Sequence, residues 1–200
     1  MTSKRRALCT PETILNAFSF KGVENLVDFG CGLGFYIPEF RKLYPKLNIW
    51  PCDCQQDLLD RILRRKLLES WENVTPVYID RSDHPLLPSW IPLPDAVFAS
   101  LSLSTFPNPG LAMDGLFRSM RRGGKLVLVE WSKVETSFGP KVNEKTSIEK
   151  MENLAKEYEL TIVKSVRFGE LFYGMELKAN NQFTYGFYDL KESDDYERNE

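Results

Sequence analysis

Three glycines at every second position, placed directly after a short apolar run, constrain this chain more than any other feature. Asn25-Leu-Val-Asp-Phe29 has the length and composition of a strand, Gly30-Cys-Gly-Leu-Gly34 follows without a break, and Phe35 to Tyr44 fits a helix that Pro45 stops. Glycine lets a backbone take positive φ and pass close to a ligand, and the helix beyond offers unpaired N–H groups. Such a strand, turn and helix unit predicts a parallel sheet with a nucleotide-like ligand at the carboxyl ends of its strands.

The remaining pattern agrees with that unit. Thr10 reads as an N-cap with Pro11 at the first helical position. Asn48 to Cys52 reads as a second strand. Gln55 to Trp71 reads as an amphipathic helix with Leu58, Leu59, Ile62, Leu63 and Leu67 on one face and Arg61, Arg64 and Arg65 elsewhere. Val74 to Ile79, Ala96 to Ser100 and Lys125 to Trp131 read as further strands, with a proline-rich loop over 82–94 and a helix over Pro109 to Met120 between them. Ser132 to Thr146 is a polar loop, Ser147 to Tyr158 a helix, and Thr161 to Phe168 with Leu171 to Ala179 a hairpin. Five alternations of strand and helix closed by a hairpin predict a doubly wound α/β fold. Its seven-stranded, Rossmann-like sheet is expected to be parallel apart from one strand of the C-terminal hairpin. One domain is expected over 1–180, followed by an aromatic and then acidic tail over 181–200. In that tail, the segment from Phe183 to Tyr188 is open to three roles: an edge strand, a lid, or a contact within a homodimer.

Detail around the turn selects the ligand. A dinucleotide fingerprint is G-x-G-x-x-G, but here the third glycine comes one residue early, at Gly34, and Phe35 stands in its place. Asp28, two residues before the first glycine, would repel a pyrophosphate and suit a cationic amino-acid ammonium. S-adenosylmethionine is therefore expected rather than a dinucleotide. Asp53, after the second strand, is placed to accept both ribose hydroxyls. Asp80, at the end of the third strand, is placed to reach an adenine amino group, with Asp83 as its neighbouring alternative.

These motifs resemble the class I S-adenosylmethionine-dependent methyltransferases. VDFGCGLG is similar to the family's first motif, NIWPCDCQQDLL to its second, YIDRSDHPLLPSWIPLPDAVFAS to the segment running into the fourth strand, and LFRSMRRGGKLVLVEW to the fifth-strand region. Within the class the chain resembles the type 11 small-molecule branch, which includes quinone-biosynthesis methyltransferases. Met120 and Arg122 depart from the common leucine and proline of the fifth-strand motif. SLSLSTFPNP lacks the Asp/Asn-Pro-Pro-aromatic motif of amino-group nucleic-acid methyltransferases. The resemblance implies a cofactor contact at the end of the fourth strand, around Leu101. Taken with the residue-level reading, the expected cofactor set is Asp28, Gly30, Cys31, Gly32, Gly34, Asp53, Cys54, Asp80, Arg81 and Leu101, with S-adenosyl-L-homocysteine as the product form.

Methyl transfer from a sulfonium is an in-line displacement, so the protein chiefly positions the acceptor and excludes water. A general base is needed only where the acceptor carries a proton. The candidates are Glu130, at the end of the fifth strand, and His84, the only histidine. Trp131, Phe106 and Tyr173 are the candidate acceptor-binding residues, with Trp90 to Leu93 as a further apolar loop.

Composition bounds the partners. Hydrophobic residues at 42% and charged residues at 27% place the chain among globular proteins. A net charge of −2 speaks against a dedicated nucleic-acid binder. The basic clusters at Lys4 to Arg6, Arg61 to Lys66 and Arg118 to Lys125 read as solvated faces. No apolar core follows Arg6, which implies a cytoplasmic protein with no membrane insertion. Cys9, Cys31, Cys52 and Cys54 then read as free thiols, and their spacing makes no metal site. A small-molecule acceptor is the leading expectation. Protein or RNA methylation, or a non-catalytic cofactor-binding partner subunit, stand as alternatives.

Overall fold

Capping chemistry sets where the chain enters its helices in the computed structural model, which describes residues 10–179. Thr10 Oγ1 accepts from Thr13 N at 3.2 Å and opens α1 (Pro11–Ala17). Strand β1 (Asn25–Phe29) runs into the glycine turn, and α2 (Ile37–Leu43) follows it. β2 (Asn48–Asp53) leads to α3 (Gln56–Leu68). β3 (Val77–Tyr78) is short, because Pro76 has no N–H to give a ladder. Upstream of it, Val74 makes only an isolated bridge to Ile49.

β4 (Ala96–Ser100) ends in a single 3-10 turn (Leu103–Thr105). Asn108 then caps α4 (Pro109–Arg118) by accepting from Leu111 N at 3.2 Å. β5 (Lys125–Trp131) is separated by the loop 132–146 from α5 (Ile148–Glu157), whose cap is Ser147. The hairpin of β6 (Leu160–Phe168) and β7 (Phe172–Ala179) completes the sheet.

The strand order is β3-β2-β1-β4-β5-β7-β6. β1, β2, β3, β4 and β5 pair in parallel, and β7 lies antiparallel between β5 and β6. The mostly parallel seven-stranded sheet with one antiparallel hairpin strand is the fold expected from the alternation. Successive side chains point to opposite faces. Leu26, Ala96, Phe98, Val127 and Val129 therefore face α1, α2 and α3, and Val27, Val97, Ala99, Leu126 and Leu128 face α4 and α5. Phe98 anchors the first layer with edge contacts to Phe20, Tyr36 and Phe40 at 4.7–6.2 Å between ring centroids. The chain winds outward from β1 through β2 and returns on its other side at β4. The crevice between the carboxyl ends of β1 and β4 is where such a sheet takes a ligand.

The apolar face of α3 is only partly covered. Only Leu59 and Ile62 of α3 are buried, while Leu63, Leu67 and Leu68 are 46%, 73% and 85% exposed. The helix outruns the sheet edge, where β3 has two residues, and Ser70 at φ +51° stops it before Trp71. Trp71 is instead buried beneath the guanidinium groups of Arg65 and Arg41. Among the described residues no helix is long and apolar enough to cross a membrane, and Cys31, Cys52 and Cys54 are free thiols. Cys9 and the segment from Phe183 to Tyr188 lie outside the described residues.

Candidate cofactor and acceptor site

The glycine turn is stitched to the end of β2. Gly30 N and Cys31 N both donate to Cys52 O, at 2.8 and 3.1 Å. Gly32 N donates to Asp53 Oδ2 at 2.9 Å, and the other oxygen of that carboxylate accepts from Gln55 N at 3.0 Å. Gly30 has φ +67°, and a Cβ there would lie 2.5 Å from Cβ of Ser102, so the ends of β1 and β4 touch through it. Ser102 Oγ in turn donates to Phe29 O at 3.1 Å. Gly32 has φ +54° and nothing within 4 Å of where a Cβ would point.

That open side faces a cavity of about 970 Å³. The turn and Asp28 form one wall, Asp53, Gln55 and Leu58 a second, and Ser100, Leu101, Ser104 and Thr105 a third. Leu101 is a non-glycine residue at φ +57°, held there by its N–H bond to Val129 O at 2.7 Å. Strained backbone of this kind gathers at functional sites. Ser100 Oγ donates to Tyr36 OH at 3.1 Å in the same region.

The remaining wall is aromatic. Trp131 meets Phe172 in a tilted contact at 4.5 Å and Phe138 edge-on at 5.8 Å between centroids. Phe138, Gly139, Pro140 and Glu144 of the loop 132–146 complete it. Lys145 ties that loop down. Its buried ammonium donates to Val134 O and Thr136 Oγ1 at 2.7 and 2.8 Å and lies 5.3 Å from the Trp131 ring centroid.

Six of the residues expected to hold the cofactor line this cavity: Asp28, Gly30, Cys31, Gly32, Asp53 and Leu101. Gly34 is behind it, against Ile37 and Ile62. Cys54, Asp80 and Arg81 are not in its walls, and Arg81 donates instead to Thr105 O at 3.4 Å. Cys31 is pushed above its ordinary thiol range by burial, then by Asp28 and Asp53, which leaves it a poor nucleophile.

Of the acceptor candidates, Trp131 lines the cavity. Phe106 stacks on Phe29 at 5.9 Å, and Tyr173 is fully buried, its hydroxyl donating to Thr146 O at 3.0 Å. Trp90 is exposed and meets Trp50. His84 is turned away, bonded at 2.9 Å to Asp114, which also takes Arg118 at 2.7 Å. This cluster pins the proline-rich loop to α4. Glu130 is fully buried and stands one layer behind the cavity, in contact with Ser104. Tyr36, Gln55, Ser104 and the loop residues Phe138 to Glu144 were not legible as site residues, because no local motif marks them.

The donor set fits S-adenosylmethionine. Asp28, Asp53 and Glu144 line the cavity, and among the described residues no Lys, Arg or His does. Such a surface attracts a sulfonium and an ammonium and repels a pyrophosphate. Asp53 keeps lone pairs free for hydroxyls after its two backbone bonds, and the open side of Gly32 lets a ligand meet backbone.

Comparison with known proteins bears on the same region. A family model described as a methyltransferase domain, type 11, matches residues 27–128. No curated protein sequence matches the chain. A SAM-dependent methyltransferase from Aquifex aeolicus is 21% identical with a TM-score of 0.77, over 87% of this chain and 92% of that one. A putative type 11 methyltransferase from Sulfolobus solfataricus is 18% identical with a TM-score of 0.64, over 88% and 95%. An O-methyltransferase from neocarzinostatin biosynthesis, in complex with S-adenosyl-L-homocysteine and 1,4-dihydroxy-2-naphthoic acid, is 15% identical with a TM-score of 0.72. That match covers 90% of this chain but only 56% of the other, so this chain spans about half its length. At these identities the solved structures establish the fold, and the family match, from within β1 to within β5, establishes the rest: the chain belongs to the type 11 methyltransferase-domain family of class I enzymes that use S-adenosylmethionine.

Proposed function

We propose that this chain transfers a methyl group from S-adenosylmethionine to an oxygen or carbon nucleophile of a small, largely apolar acceptor. The observation that carries this reading is the continuity of one cavity from the acidic walls at Asp28 and Asp53 to the aromatic wall at Trp131 and Phe138. Cofactor and acceptor would thus share a single space of about 970 Å³, near the upper end of small-molecule sites. Among the described residues its walls carry acidic and no basic side chains, which disfavours a phosphate-bearing polymer. The naphthoic acid bound to the neocarzinostatin enzyme supports an aromatic acceptor here by analogy of fold.

When bound, S-adenosylmethionine supplies an electrophilic methyl carbon and a neutral leaving group. The residues of this chain do the rest. Asp28 and Asp53 hold the cationic and hydroxyl-bearing parts, and Gly32 lets the ligand approach the backbone. Trp131 and Phe138 orient the acceptor and exclude water. Fixing two reactants at bonding distance accounts for about 7–11 kcal/mol of barrier in well-oriented systems.

The test is calorimetric titration with S-adenosyl-L-homocysteine, with NADH as control, followed by an acceptor screen against the purified protein. Micromolar binding of the first and none of the second is expected. Binding of NADH alone would overturn the reading.

A further inference from the structure

Glu130 is an expensive residue for its position. It is wholly buried at the carboxyl end of β5, and no described Lys or Arg forms an ion pair with it. A neutral side chain would fill the same space without the desolvation cost of a carboxyl group. Both of its oxygens are directed at one residue. Ser104 N donates to Oε1 at 3.1 Å, and Ser104 Oγ donates to Oε2 at 2.6 Å. Ser104 belongs to the 3-10 turn after β4 and lines the cavity alongside Thr105 and Leu101. That turn is held by Ser102 Oγ on Phe29 O and by Thr105 Oγ1 on Ser102 O at 2.6 Å. A buried carboxyl group therefore reaches the wall of the cavity through a single hydroxyl.

We propose that Ser104 receives the proton of an acceptor hydroxyl and passes its own to Glu130, so that the acceptor is a protic oxygen nucleophile of the phenol class. The inference rests on the methyltransferase reading above and deepens it. The step balances. The acceptor O–H bond breaks as its oxygen bonds to the methyl carbon and the carbon–sulfur bond breaks. The acceptor proton goes to Ser104 Oγ, the Ser104 proton goes to Glu130 Oε2, and the products are a methyl ether, a neutral thioether and a protonated Glu130. Once the ether leaves, the same hydroxyl returns that proton to solvent in the opened cavity.

Electrostatics suit the task. Burial pushes Glu130 up to about 7, opposed by the bonds from Ser104 and by the backbone of Leu103 and Ser102. From β7 the group facing it is Tyr173, whose hydroxyl is committed to Thr146 O and is itself pushed up by burial and by Glu130. From α5, Glu149 and Glu152 act on Tyr173 from the same side, with Glu149 paired to Arg167. From the 3-10 turn and its cap come the Ser104 hydroxyl and the backbone of Ser102, Leu103 and Ser104, with no charged group. A proton acceptor with an affinity near neutral is effective in general-base catalysis.

The experiment has two readouts. The first needs no turnover. In the complex with S-adenosyl-L-homocysteine, infrared titration should show a buried carboxylic acid band that disappears around pH 7. The band should be absent from Glu130→Gln and persist to higher pH in Ser104→Ala, which loses a donor to the ionised form. The second is methyl transfer to ordinary phenols and to nitrophenols that are already ionised in solution. The wild-type rate on ordinary phenols should rise with pH through about 7. Glu130→Gln and Ser104→Ala should each lose about 10²–10⁴-fold on ordinary phenols and far less on the nitrophenols, with affinity for S-adenosyl-L-homocysteine retained. Equal losses on both acceptor types, a band absent from wild type, or a wild-type complex that methylates no phenol would overturn the relay while leaving the methyltransferase reading intact. Failure of the wild-type protein to bind S-adenosyl-L-homocysteine would remove that reading itself.

Discussion

Two neighbouring glycines separate folding from ligand binding. Gly30→Ala and Gly32→Ala each place an L side chain in the left-handed region, at φ +67° and +54°, which costs about 1–2 kcal/mol. For Gly32→Ala the new Cβ meets nothing within 4 Å, so that conformational cost is the whole penalty. In a chain of this size it lowers Tm by roughly 2–8 °C. For Gly30→Ala the Cβ would lie 2.5 Å from Cβ of Ser102 and must displace a residue bonded to Phe29 O. Losing that bond adds about 1 kcal/mol to the clash itself. Gly30→Ala should therefore be the less stable variant by a clear margin. Calorimetric titration with S-adenosyl-L-homocysteine should reverse the emphasis. Gly32→Ala, though folded, should bind at least about tenfold more weakly, a difference of about 1.4 kcal/mol, because its methyl occupies space the ligand needs. Gly32→Ala binding within about twofold of wild type would refute the assignment of that open side to the cofactor.

Further expectations follow from named contacts. Asp53→Ala removes the acceptor for Gly32 N and Gln55 N as well as the proposed ribose partner, and should weaken S-adenosyl-L-homocysteine by about 1.5–3 kcal/mol in the same titration. Glu130 carries a raised affinity for its proton, about 7 in the fold against 4.5 when exposed, so folding binds a proton between those values. Its contribution is fully present below pH 4.5 and is lost as pH rises through 7, a change on the order of 3 kcal/mol. Urea unfolding from pH 4.5 to 8 should show wild type losing that much relative to Glu130→Gln, and parallel pH profiles would count against a buried, protonated Glu130. Lys145→Met keeps the alkyl chain but deletes the bonds to Val134 and Thr136. It should speed amide exchange within 132–146 while leaving S-adenosyl-L-homocysteine affinity near wild type, because Lys145 does not touch the cofactor walls.

The fold was legible because its signals are local. β1, β4 and β5 begin and end where their apolar runs do, and the caps at Thr10, Asn108 and Ser147 mark three helix starts. The departures also have local causes that a pattern of apolar residues does not weigh. Pro76 cuts the third strand to Val77–Tyr78. The start of α2 slips to Ile37 because Phe35 and Tyr36 belong to the turn and line the cavity. The second half of α3 keeps its leucines at helical spacing yet exposes Leu67 and Leu68, because periodicity reports a face but not whether the sheet extends beneath it.

The site divides along the same line. Asp28, Gly30, Cys31, Gly32 and Asp53 could be read because a turn and the next strand end hold them, and the backbone bonds from Gly30, Cys31 and Gly32 to Cys52 and Asp53 span one crossover. The proposed acceptor side is assembled across the sheet. Ser104 and Glu130 are 26 residues apart, Tyr36 and Ser100 are 64 apart, and Phe138 meets Trp131 from a loop that Lys145 ties down. No spacing rule announces these pairs, since each depends on which strand ends the topology makes neighbours. β4 and β5 are neighbours here, so the turn after one meets the last residues of the other. The wall proposed for the cofactor is thus encoded within short segments. The wall proposed for the acceptor is encoded in contacts between them, so substitutions at Ser104 or in 132–146 are expected to alter acceptor choice before cofactor affinity.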